Sequence, residues 1–212
     1  MGFIKMPKIM REVSYVQFFS WLGMFCVFLY FGLGVAQNIF GLPAMAKVET
    51  SAEYRSMLEQ GIALGGLCFS IYTIVSVGYA FIIPYLAKLI SRKGVHILSL
   101  SIGAIGLIGT RFATNSYELF LCMVGLGAAW ASIVTIPYAI LGRCLPKENM
   151  GLYMGLLNIT ICLPQIIASL GLSSVIQHLF NYQAMPVIQM AGVFFVIAAI
   201  FSFFISDQDG NK

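Results

Sequence analysis

Six apolar stretches, at about 14–37, 61–86, 95–112, 117–141, 150–179 and 185–205, fill almost the whole chain, with short polar segments between them. Each is close to the roughly 20 apolar residues that carry a helix across a bilayer. The first stretch runs into Asn38, Gly41 and Pro43, and the loop after it carries Lys47, Glu49, Glu53, Arg55 and Glu59. Lys88, Arg92, Lys93 and His96 crowd the next gap, and residues 113–116 make a tight polar turn. Arg143, Pro146, Lys147 and Glu148 mark the fourth gap, and residues 181–183 the fifth. The pattern predicts an all-α membrane protein: a linker over 1–13, a six-helix transmembrane bundle over 14–206 and a short tail over 207–212.

Charge orients this bundle. Lys5, Lys8, Arg11, Lys88, Arg92, Lys93, Arg143, Lys147 and Lys212 fall on one side of the expected membrane. Only Lys47, Arg55 and Arg111 fall on the other. Such a bias marks the cytoplasmic face, so both termini are expected in the cytoplasm, and in a bacterium the membrane would be the inner one. Composition agrees, with 59% hydrophobic residues, 9% charged residues and a mean hydropathy of +0.90. A soluble domain could not bury that much apolar surface. The net charge of +4 suits anionic lipid headgroups, and no basic face with interleaved aromatics points to nucleic acid. The run from Val16 to Ala36 is of spanning length with no small-residue cleavage pattern, so a retained helix is expected, not a cleaved signal. Cys26, Cys68, Cys122, Cys144 and Cys162 form no C-x-x-C pair and are expected as packing residues.

No Asp, Glu, Lys or Arg lies near the centre of an expected span, so the chain offers no carboxylate for ion coupling. The polar residues inside are neutral. Gln17 and Trp21 are four apart and share a helix face; Asn158 and Gln165, seven apart, share another. Trp130 and Tyr138 are eight apart, and Pro137 can open the helix where Tyr138 projects. Tyr72 stands in the second span, and Gln165 follows Pro164 in the fifth. Amides bridge hydroxyls and aromatic rings stack on C–H faces, so this set suits an uncharged, hydroxyl-rich ligand such as a sugar. The same residue types also bond across helices and sit in interfacial belts, and for Trp21 and Tyr15, near the inner boundary, the belt reading weighs at least as much. Gly103, Gly106 and Gly109, and the G-x-x-x-G of Gly151 and Gly155, predict close helix approaches. There is no H-E-x-x-H, G-x-S-x-G or Walker loop, and His96 and His178 lie at opposite ends of the bundle. Neither an enzyme nor a metal or cofactor is expected.

The segment 127–141, GAAWASIVTIPYAIL, resembles the tenth helix of glycoside transporters in the major facilitator superfamily. It is most similar to the branch of plant sucrose–proton symporters, animal solute carrier 45 proteins and bacterial maltose or sucrose transporters. Met6-Pro7-Lys8 through Val16-Gln17-Phe18-Phe19-Ser20-Trp21 resembles the central linker and seventh helix of that branch. Pro84 through Arg92-Lys93 and His96 is similar to its eighth-to-ninth loop, without the Asp of the superfamily's basic motif. Leu163-Pro164-Gln165-Ile166-Ile167-Ala168 is similar to its eleventh helix.

The resemblance implies a fold of two six-helix halves, of which this chain matches the C-terminal one, with the substrate held between the halves near the midplane. It implies proton-coupled transport of a sucrose- or maltose-like disaccharide by the complete transporter. Gln17, Trp21, Tyr72, Trp130, Tyr138, Asn158 and Gln165 would contribute to the sugar site. Pro137 and Pro164 would serve as kinks or gates, and Arg92 and Lys93 as the cytoplasmic basic loop. The expected partners are the sugar, the bilayer, and either an N-terminal six-helix half or a second copy. The competing expectation is a truncated, non-transporting membrane protein, inert or regulating a full-length relative.

Overall fold

The computed structural model describes residues 6–206, so the start of the expected linker at 1–5 and the tail at 207–212 lie outside the described residues. Five long apolar helices account for most of the described chain: α1 (Lys8–Ile39), α2 (Ala52–Gly109), α3 (Ser116–Cys144), α4 (Met150–His178) and α5 (Met185–Phe203). Six separate helices were expected; the second and third follow each other without a loop, as two helical arms of α2 that join at Ser91. At 1.5 Å per residue the 58 residues of α2 would measure about 87 Å, far more than a bilayer's roughly 30 Å hydrocarbon core. The element escapes that length by reversing at Ser91, whose φ of 65° and ψ of 162° break the helix. The hydroxyls of Tyr79 and Ser99 show the reversal: twenty residues apart in sequence, they lie 2.9 Å from each other. Ser91 Oγ accepts from the Gly94 amide at 3.2 Å, so the breaking residue also caps the second arm.

Helix boundaries follow local chemistry. Pro7, with φ −54°, precedes α1 and donates no amide, so the helix starts within the expected linker. Ser51 caps α2 through the Tyr54 amide, so α2 starts in the expected loop. Asn115 caps α3 through Glu118, and Glu118 reaches back to the Thr114 amide at 2.6 Å. These reciprocal bonds close the turn that the polar residues 113–116 predict.

Close approaches between α2 and α3 build the most extensive interface of the bundle. A Cβ on Gly106 would fall 2.5 Å from the Cys122 carbonyl oxygen, and one on Gly125 would fall 2.6 Å from that of Ile102. The Phe195 ring of α5 sits between Gly23 of α1 and Gly103 of α2. Gly151 and Gly155 behave otherwise: nothing lies within 4 Å of a Cβ at either, so their spacing marks no packed face here.

Polar side chains tie the bundle at both ends. At the base, where α1 begins, Glu12 accepts from the amide and hydroxyl of Ser206 at 2.8 and 3.1 Å. Lys93 donates to the carbonyls of Phe203 and Ile205, capping α5. At the opposite end Gln37 donates to the Tyr182 carbonyl at 3.0 Å and accepts from the Ala184 amide at 2.8 Å. Asn38 donates to the carbonyl of Ala113. The outer surface is apolar, with Phe81, Leu89 and Leu170 about three-quarters exposed, as lipid contact requires.

Candidate functional site

Trp21, Tyr72 and Trp130 come from three helices and meet. The Trp130 ring stands edge-on to Trp21 at 5.6 Å, to Phe28 at 5.9 Å and to Tyr72 at 6.2 Å, measured between centroids. Phe69 joins the group through Tyr72 at 5.6 Å and Phe28 at 6.1 Å, and Phe25 bridges Trp21 and Phe28. Edge-to-face pairs of this kind contribute about 0.5–1.5 kcal/mol each beyond the area they bury. The cluster therefore holds α1, the first arm of α2 and α3 in register while leaving Trp21 and Trp130 partly exposed.

Gln17 lies one turn from Trp21 and is fully buried, and neither its amide nitrogen nor its amide oxygen has a hydrogen-bond partner among the described residues. The indole nitrogen of Trp21 and the hydroxyl of the fully buried Ser20 are unpartnered too. A buried polar group without a partner costs about 1–3 kcal/mol, and such groups gather on one short segment of α1. They are donors and acceptors that a hydroxyl-bearing ligand or ordered water can satisfy.

No ring contact or hydrogen bond among the described residues joins the remaining expected site residues to this cluster. Tyr138, half-buried on α3, lies eight residues from Trp130, about 12 Å along the helix toward the base. Asn158 is exposed and Gln165 half-exposed on α4, a helix that packs chiefly against α1. Pro137 and Pro164 are both buried within continuous helices. Of the two basic-loop residues, Arg92 lines an open crevice of about 610 Å³ with Lys88 and Arg143. Lys93 turns away to cap α5.

Sequence reasoning passed over several residues at this centre. Phe25 and Phe28 follow Trp21 at four and seven residues, and Phe69 precedes Tyr72 by three, spacings that share a helix face. His96 is expected at a connection but is fully buried, with Nδ1 2.6 Å from the Ser132 hydroxyl and Nε2 without a partner. Residues 13–212 match the sequence model of the Major Facilitator Superfamily. No curated protein matches the chain.

Proposed function

The chain belongs to the major facilitator superfamily, a family of membrane transporters and not of enzymes, and from that premise we propose that it carries a sugar. The substrate class is a sucrose- or maltose-like disaccharide, moved by proton symport in the complete transporter. The observation that carries the reading is the unpartnered amide of Gln17, one helical turn from Trp21, whose indole meets that of Trp130. Neutral donors and acceptors next to flat ring faces match a molecule that is hydroxylated at its edges and apolar on its faces. No Asp, Glu, Lys or Arg lies within four residues of Gln17, Trp21 or Trp130 along the chain, which favours a neutral substrate.

In this reading the two arms of α2 are separate crossings, so the chain crosses six times with both ends in the cytoplasm. It acts as the C-terminal half and rocks against an N-terminal half or a second copy. The exposed side of α4, with Asn158, and the half-exposed Gln165 support that arrangement, because a neutral polar group facing hydrocarbon costs several kcal/mol. Tyr72, Tyr138, Asn158 and Gln165 then line the cavity from their separate helices, and Pro137 and Pro164 let α3 and α4 bend as it opens.

The test is uptake of labelled sucrose and maltose in cells expressing the chain alone and together with an N-terminal six-helix half, with and without a proton uncoupler. Uptake that needs the partner and collapses with the uncoupler is the expected result. Uptake by neither preparation, with the chain inserted, would remove the transport reading for this polypeptide.

A further inference from the structure

His96 has no part in the sugar site, although it is a proton-binding side chain inside the bundle. The chain holds two histidines; His178 is exposed at the end of α4, whereas His96 is fully buried. It stands on the second arm of α2, five residues past the break at Ser91 and about 8 Å along that arm. Its Nδ1 lies 2.6 Å from the Ser132 hydroxyl of α3, and Nε2 has no partner among the described residues. Ser14, Ser99, Thr135 and Ser202 turn their hydroxyls back to a carbonyl of their own helix, but Ser132 reaches across to His96. With Nδ1–H donating to Ser132, Nε2 keeps a bare lone pair. The other tautomer would bury an N–H without an acceptor, the rarer defect in folded proteins.

The charges of the surrounding elements lie at helix ends. α1, α3 and α5 pack on α2, and α5 has no charged residue. On α3, Glu118 and Arg143 lie at opposite ends, and Tyr138 follows Ser132 by six residues. On α1, Lys8, Arg11 and Glu12 lie at the base, with Glu12 held by Ser206. On α2, Glu53, Arg55 and Glu59 belong to the far end and Lys88, Arg92 and Lys93 to the base, and the Tyr79 phenol pairs with Ser99.

We propose that His96 is a proton-binding site of the transport cycle: Nε2 takes a proton from water when the bundle opens and returns it when the bundle closes to the present arrangement. This rests on the proton-symport reading. A proton carrier needs a group whose affinity differs between two states. In the closed arrangement an imidazolium would meet neither water nor an anion, which strongly disfavours it. Beside water an imidazole exchanges protons near neutral pH, the range in which histidine serves as a shuttle. The step balances by itself: hydronium protonates the Nε2 lone pair, and the imidazolium later gives that proton back to water.

Two measurements test the proposal. In the His178→Gln chain in bilayers, nitrogen NMR of labelled histidine reports His96 alone. At pH 7 it should show a proton on Nδ1 and none on Nε2; a protonated Nε2 would overturn the proposal, because no lone pair would be on offer. In vesicles holding the chain with an N-terminal six-helix half, a gradient of one pH unit should concentrate the sugar about tenfold, the equivalent of one proton per sugar. His96→Asn keeps an amide for Ser132 but binds no proton. It should lose that accumulation, leaving about equal concentrations, while still exchanging labelled sugar at equilibrium. Undiminished accumulation in the variant would overturn the proposal. So would loss of exchange along with accumulation, which marks a structural residue. Wild-type uptake that ignores the pH gradient, or no uptake at all, would instead end the symport reading and the proposal with it.

Discussion

Gln17 pays for its burial without a partner, and that imbalance separates a ligand-binding role from a helix-bridging one. An amide that bonded across helices would destabilise the fold when removed. Gln17 has no such bond, so Gln17→Leu should raise stability by about 1 kcal/mol, since replacing an unsatisfied buried group by an apolar one is favourable. Uptake of the sugar should fall by about tenfold or more, the effect of one or two lost hydrogen bonds. Thermal unfolding in detergent and uptake in vesicles read the two effects independently, and a loss of both would return Gln17 to a structural role. The face shared by Gln17 and Trp21 was legible from their spacing. That Trp130 would meet both Trp21 and Tyr72 was not legible, because spacing orders residues along one helix and says nothing of neighbouring helices.

The elements were legible as apolar lengths, and their junctions less so. A serine at position 91 gives no hint of a left-handed backbone, which favours glycine. It adopts that conformation because the apolar arms on either side gain more from packing than one strained residue costs, about 1–3 kcal/mol. Ser91→Gly should therefore raise stability by about 1 kcal/mol, even though it loses the hydroxyl that caps Gly94. Unfolding of the purified variant decides the sign. Glycine spacing likewise marked candidates without ranking them. Gly106→Ala must push α2 and α3 apart at the Cys122 carbonyl and should cost about 1–3 kcal/mol. Gly155→Ala meets open space and should stabilise α4 by up to about 1 kcal/mol. The same unfolding measurement compares the pair, and equal effects would mean that the approach of α2 to α3 is looser than the geometry states.

Across the whole molecule, the number of crossings depends on whether α2 spans once or twice. In a variant whose native cysteines are replaced, Glu49→Cys, Thr114→Cys and Gln183→Cys should react with an impermeant maleimide from one side of the membrane, and Glu148→Cys from the other. Were α2 a single crossing, residues 49 and 148 would share a side and residue 114 would lie opposite them. The sequence alone determined that this chain is a multi-pass membrane protein, where its apolar lengths lie, and which family it belongs to. Those properties are local, because a bilayer selects on the polarity of about 20 consecutive residues without reference to any fold. Only the tertiary structure decided which rings meet around Trp130, that Lys93 caps α5 while Arg92 lines the basal crevice, and which glycines are pressed against a neighbour. Those outcomes depend on how helices rotate and tilt against one another. Between helices in lipid the hydrophobic effect is weak, and small differences in packing and in paired polar groups settle the arrangement.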